Sequence, residues 1–164
     1  GGVLINQAIH TLDLMTQLMG KPIEAEASFM NHRLKSVIEV EDTIEAYIRF
    51  EKGDAVFYAT NAYRDDSPPF IEVVCTNGKL RIEGNQLETF AGDGRSTVYD
   101  PPSEAIGGKA YWGDSHPRCI RDFYDGIRNG SSNRVSLDSV ADSFRLALGL
   151  YQSAREHRIV RFSE

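Results

Sequence analysis

The feature that most constrains this chain is a change of hydrophobic period near Ile23. From there to about Tyr99 the apolar residues recur every second position. The clearest stretch sets Ile44, Ala46, Ile48 and Phe50 against Glu45, Tyr47, Arg49 and Glu51, which predicts a strand with one buried and one wet face. Lys52-Gly53-Asp54 turns the chain into a second run, Ala55 to Ala62, rich in Val, Phe, Tyr and Thr. Phe70 to Thr76 and Lys79 to Glu83 flank Asn77-Gly78, a pair that favours a type I′ hairpin because both central residues of that turn need positive φ. Gly84-Asn85 turns again into Gln86 to Phe90, and Thr97 to Tyr99 adds a short strand. Strands joined by such tight connections must pair antiparallel. The pattern is a meander rather than a series of βαβ units.

Helical periods flank this block. Over Leu4 to Met19, Ile5, Ile9, Leu12 and Met19 form an apolar stripe that Leu4, Ala8, Met15 and Leu18 extend sideways, and Gly20-Lys21-Pro22 stops the helix. Gly92 to Gly113 is a long irregular stretch, a length that usually serves a function or stays disordered. Pro117 to Asn129 then carries Ile120, Phe123, Tyr124 and Ile127 at helical spacing before Gly130. Leu137 to His157 carries Val140, Phe144, Ala147, Tyr151 and Ala154 on one face, with Ser136 or Asp138 placed to cap it. Arg158 to Phe162 reads as a last strand. The expected class is α+β: an open, mostly antiparallel sheet with helices packed on one face.

Composition narrows the function. In 164 residues, 18 Lys and Arg face 24 Asp and Glu, a net charge of −6 that argues against a nucleic-acid binder needing a basic face. Apolar runs are far short of the roughly 20 residues that cross a bilayer. Cys75 and Cys119 lie in no Cys/His cluster and read as small buried hydrophobes rather than metal ligands or redox groups. The chain begins Gly1-Gly2-Val3 with neither Met nor a signal peptide, so it is read as processed or as a piece of something longer, and the cytoplasm is the expected location.

The first helix carries the most informative polar residues. Asn6, His10, Asp13 and Gln17 are spaced to stack along one line between apolar shoulders. A solvated stripe is the bland reading, but Lys, Arg and Glu, which usually fill such a stripe, are absent from it. A narrow polar line suits a site wall, where His10 can exchange a proton near neutral pH and Asn6 can hold a hydroxyl or carbonyl. His116, beside Tyr111 and Trp112 at a helix start, is a second candidate, because an aromatic wall with a polar tip meets a sugar ring well. A solvated or capping histidine is its alternative. Lys109, in the Gly-rich stretch, either meets an anionic group or simply faces water.

Gly1 through Leu14, with Asn6, His10 and Asp13, resembles the segment that opens the C-terminal domain of the glucose-fructose oxidoreductase / inositol dehydrogenase / rhizopine-catabolism (Gfo/Idh/MocA) family. There the pattern is Gly-Gly-Gly-x-Leu-x-Asp-x-Gly-x-His-x-x-Asp. Val40-Glu41-Asp42-Thr43 before an alternating strand ending at Phe50 and Gly53 is similar to the family's second strand. Trp112-Gly113-Asp114-Ser115-His116, Asp122-Phe123-Tyr124 and Ser136 to Ser153 are similar to its closing helices.

The resemblance implies a single substrate-binding and oligomerisation domain over residues 1–164, like the C-terminal domain of dihydrodipicolinate reductase in fold. It also implies an NAD(P)-binding Rossmann domain outside this chain, and a substrate that is a sugar, inositol or related polyol. His10 then matches the catalytic acid/base, and Asn6, Asp13, Trp112 and His116 belong to the substrate site, Asp13 chiefly by orienting His10 or capping a backbone group. A homo-oligomer formed through the sheet face is implied too, with neither membrane nor nucleic acid as partner and no metal. Two departures stand out. Asn6 occupies a position where the family has Asp, so it positions a hydroxyl without taking its proton. Neither a Gly-x-Gly-x-x-Gly motif nor the family's Glu-Lys-Pro is present, so this polypeptide alone is expected neither to hold NAD(P) productively nor to turn over. A non-catalytic sugar sensor or scaffold on the same fold is the alternative, since fold does not fix function.

Overall fold

The computed structural model describes residues 1–62, 69–84, 86–100, 116–131 and 135–162. The chain divides into two compact units, residues 1–66 with 136–164, and residues 67–135. The expected α+β class and antiparallel pairing hold, but the strand run divides between two four-stranded sheets, one in each unit.

In the first unit the alternation of period two becomes β1 (Pro22–Met30), β2 (Thr43–Phe50) and β3 (Gly53–Thr60), which pair antiparallel in the order β3-β2-β1-β8, with β8 (Val160–Arg161) short at the edge. The register sets Ala27 against Ala46 and Ala46 against Phe57, so the apolar members of all three strands share one face. Over that face lie helices α1 (Ile9–Met19) and α3 (Ala141–Glu156), which seal a core of Leu4, Ala8, Leu12, Ile44, Ile48, Phe50, Leu146 and Leu150. Because β8 pairs only with Glu24 and Ala25, the Ala27 N–H has no strand partner on that side. It donates instead to Ser153 Oγ of α3 at 3.0 Å, and Ser153 donates in turn to the Arg158 carbonyl at 2.7 Å. A buried backbone donor is thus satisfied by a buried helix serine.

Both helices differ from the sequence expectation in rotation. The first begins with one wide π turn over Leu4–Ala8 before α1 proper. Its buried line is Leu4, Ala8, Leu12 and Thr16, four residues apart, with Leu14 and Leu18 exposed. Four residues of α-helix overshoot a full turn by about 40°. A wider turn takes part of that drift back and keeps Leu4 over the core. In α3 the buried face is Ser143, Leu146, Ala147, Leu150, Ser153 and Ala154, while Phe144 points out. The two serines enter the interior because each finds a hydrogen-bond partner there. Of the two residues placed to cap this helix, Ser136 accepts the Ser139 N–H on its Oγ at 3.2 Å at the entry to a 3₁₀ turn over Asp138–Val140, while α3 itself starts from Val140 without a side-chain cap.

The second unit holds β4 (Phe70–Cys75), β5 (Gly78–Glu83), β6 (Gln86–Ala91) and β7 (Ser96–Tyr99), an antiparallel meander in sequence order, and α2 (His116–Asn129). The hairpin forms one residue early. Cys75 pairs with Gly78, so Thr76-Asn77 rather than Asn77-Gly78 occupy the turn. Gly78, at φ +155°, serves the next strand: it pairs with Ala91, and a Cβ there would run into the Phe90 carbonyl. Close approach to β6 therefore claims the glycine that the turn was expected to use. Cys75 and Cys119 are exposed, not buried, since Cys75 closes a strand at the hairpin tip and Cys119 sits on an uncovered side of α2. Among the described residues no helix is long and apolar enough to cross a membrane.

Candidate functional site

The helix that carries Asn6 and His10 is held at its start by a single residue from the β1–β2 connection. The Val3 N–H donates to the Glu41 carbonyl at 3.1 Å and the Leu4 N–H to Glu41 Oε1 at 3.2 Å. These are two of the donors that a helix N-terminus leaves without intrahelical partners, and a carboxylate there also meets the positive end of the helix dipole. The same Oε1 accepts the Tyr151 hydroxyl of α3 at 2.8 Å. Glu41 is only 8% exposed, and a Cβ on Gly2 would fall on its carboxylate, so the glycine makes room for the clamp. Burial and then the Glu41 carboxylate push the Tyr151 hydroxyl up to about 12, so it remains a donor across the physiological range. Its ring is fixed edge-on against Phe29, with centroids 4.9 Å apart.

Asp42, next in the chain, holds the rest of that connection. Its Oδ1 accepts the His32 N–H at 2.9 Å and the Thr43 hydroxyl at 2.9 Å, and its Oδ2 accepts the N–H groups of Arg33 at 2.8 Å and Leu34 at 3.0 Å. Burial alone would raise this carboxyl, but the backbone donors and Thr43 outweigh it and hold the group far below the usual carboxylate range.

Further along the helix, Ser143 of α3 lies with its hydroxyl 2.9 Å from Asp13 Oδ1, and Gln17 Nε2 donates to the Ser139 carbonyl at 3.3 Å. The polar line read from the sequence therefore divides in two. Asp13 and Gln17 are tied to α3, whereas Asn6 and His10 are exposed and their side chains have no hydrogen-bond partner among the described residues. His116 is the first residue of α2 and is exposed within the second unit. Trp112, Tyr111 and Lys109 lie outside the described residues.

Sequence reasoning missed Glu41 and Tyr151. The adjacent acids Glu41-Asp42 at the entry to a buried strand were the available signal, because two charges at the edge of a core must each find donors.

Two concavities mark the first unit. One, of about 650 Å³, lies between the β1–β2 connection and α3, with Asn31, Lys35, Glu41, Tyr151 and Arg155 on its walls; the other, of about 400 Å³, lies on the outer sheet face around Glu26, Tyr47 and Val56. Neither is lined by Asn6 or His10. Every strand pair in the described residues is antiparallel, so no βαβ turn is present among them to cradle a dinucleotide pyrophosphate. The described residues do not fit NAD(P) by themselves.

Comparison with known proteins agrees with this geometry. Residues 1–162 match the oxidoreductase family, C-terminal alpha/beta domain, of the Gfo/Idh/MocA group. No curated protein sequence matches the chain. Among solved structures, the chain is similar to an oxidoreductase from Agrobacterium radiobacter in complex with NAD+, L-tartaric acid and magnesium, at 20% identity and a TM-score of 0.78, covering 95% of this chain and 48% of that one. It is similar to the aldose-aldose oxidoreductase from Caulobacter crescentus complexed with glycerol, at 20% identity and a TM-score of 0.79, covering 99% and 48%. It is also similar to the WlbA dehydrogenase from Bordetella pertussis in complex with NADH and UDP-GlcNAcA, at 22% identity and a TM-score of 0.77, covering 100% and 49%. The chain thus spans about half the length of these structures. With the family profile running from Gly1 to Phe162, the chain belongs to the Gfo/Idh/MocA oxidoreductase family, as its C-terminal α/β domain.

Proposed function

We propose that this chain supplies the substrate site and the acid/base histidine of an NAD(P)-dependent oxidoreductase acting on the CH–OH group of a sugar, inositol or related polyol. The observation that carries this reading is the contrast along one helix. Leu4, Asp13 and Gln17 are tied down by Glu41, Ser143 and Ser139, whereas Asn6 and His10, like Gln7 and Thr11 beside them, have no side-chain hydrogen-bond partner among the described residues, and of these four His10 alone can exchange a proton near neutral pH. Anchoring a helix while leaving Asn6 and His10 unpaired suits presentation of those side chains to a ligand.

In this role Asn6 holds the substrate oxygen through its amide, and His10 takes the hydroxyl proton as the carbon is oxidised or returns it in the reverse direction. A bound nicotinamide would supply the hydride exchange, and the residues that would hold it are expected to lie outside this chain. The polyol class is favoured by relatives crystallised with glycerol and with a nucleotide sugar. The outer sheet face, where Val56 is 82% exposed beside Tyr47 and Tyr58, is the proposed surface for pairing with a second copy.

The test is NAD(P) reduction by the full-length protein, screened over sugars and inositols, with wild type and His10→Ala compared. Loss on the order of a hundredfold or more is expected for removal of a general base. An unchanged rate would overturn the assignment of His10, and no turnover on any polyol would overturn the dehydrogenase reading and favour the sensor.

A further inference from the structure

We infer that Glu41, acting with Tyr151, is a positioning residue for the site: it sets the start of the helix, and through it the direction in which Asn6 and His10 are presented. The inference rests on the reading of Asn6 and His10 given above. It stands on four features of the first unit. The backbone carbonyl and the side chain of Glu41 take successive donors, Val3 and Leu4, so the entry angle of the chain is fixed at two points by one residue. The clamp is buried, and Gly2 leaves the space it needs. The wide turn Leu4–Ala8, which contains Asn6, begins at the residue whose N–H the carboxylate holds. Tyr151, pinned against Phe29, donates to the same Oε1 and so fixes the oxygen that holds Leu4.

A π turn has poorer intrinsic geometry than an α turn and persists where its surroundings determine it. Released from Glu41, the segment is free to wind as α-helix. That rotates Leu4 relative to the core and re-aims Asn6 against His10. Neither Glu41 nor Tyr151 needs to touch substrate for this to matter, since a displacement of about 1 Å in a reacting group costs on the order of a hundredfold in rate.

The experiment uses the full-length protein with Glu41→Ala, which removes the accepting oxygen, and Tyr151→Phe, the second keeping the ring packing in case the first folds poorly. Two readouts are taken. Amide hydrogen exchange over Val3–Ala8 is expected to speed up at least tenfold in both variants, with the β1–β2 amides unchanged. On whichever polyol the wild type turns over, kcat is expected to fall tenfold to a hundredfold for Glu41→Ala and severalfold for Tyr151→Phe, with KM within about threefold. Exchange unchanged in both variants overturns the clamp. Faster exchange with kcat unchanged leaves a structural clamp and overturns the positioning role. His10→Ala is run beside them: if it keeps full activity the catalytic reading fails, whereas if it loses activity and the two clamp variants do not, only the positioning role fails.

Discussion

Replacing Asp42 by Asn tests how the β1–β2 connection is held, and through it the support of Glu41. Four donors converge on the carboxylate: His32 N–H and the Thr43 hydroxyl on Oδ1, and the N–H groups of Arg33 and Leu34 on Oδ2. An asparagine keeps one acceptor oxygen. Its better placement puts that oxygen on Arg33 and Leu34 and turns the NH₂ toward His32 and Thr43. The Thr43 hydroxyl can then reverse, because its contact with Thr60 Oγ at 2.8 Å works in either direction. The His32 N–H cannot reverse. One part-buried donor loses its partner, at the lower end of about 1–3 kcal/mol, and two charge-assisted bonds become ordinary ones, so the total is about 2–3 kcal/mol. The sign with pH follows from the lowered carboxyl. Its stabilisation is fully present well above the ordinary carboxylate range, and it is lost as pH falls through that range toward the folded-state value below it. Urea unfolding of wild type and Asp42→Asn should therefore show a constant gap at neutral pH that closes progressively below about pH 4. A gap under about 1 kcal/mol at pH 7, or one as wide at pH 3 as at pH 7, would refute the reasoning.

Two further outcomes follow from the same unit. Ser143→Ala and Asp13→Ala, measured singly and together by chemical denaturation, should show a coupling of about 1 kcal/mol through the 2.9 Å contact, and additive losses would mean the pair contributes nothing. Val56→Glu places a carboxylate on the outer sheet face near Glu26 and Glu45. If that face pairs with a second copy, sedimentation should show dimerisation weakened at least a hundredfold with the protomer still folded, because an unpaired charge is costly inside an interface and harmless on an exposed strand. A wild type that is strictly monomeric at tens of micromolar, or a variant that associates equally well, would remove the sheet face as the contact.

The sequence made legible those parts of the molecule where one physical rule acts alone. Alternation over Ile44 to Phe50 became β2 with its apolar members buried, because nothing competes with the period of two in a strand covered on one side. It was less informative where two demands met at one residue. Gly78 could serve a turn or a close strand approach, and the Phe90 carbonyl on the neighbouring strand decided it. Ser143 and Ser153 are polar by type and do not figure in the apolar face that the spacing marks, yet both are buried, because each meets a partner more than 100 residues away in sequence or at the broken edge of β1. Such partners have no local signature.

The same distinction orders the site. His10 and Asn6 stood out because type and spacing suffice to mark a polar line on an apolar helix, and their exposure matches that line. Glu41 did not stand out, because its role is defined by Leu4 and Tyr151, respectively 37 and 110 residues away. A residue that touches a ligand is constrained by its own chemistry, whereas a residue that aims another is constrained by distances. Gly2 connects the two cases: it sits in the recognisable opening motif, and its lack of a Cβ makes sense only once Glu41 occupies the space beside it. Gly2 is therefore part of the support of the helix start, and Gly2→Ala should speed amide exchange over Val3–Ala8 as loss of Glu41 does, whereas unchanged exchange would mean that the space beside Gly2 is not needed by the clamp.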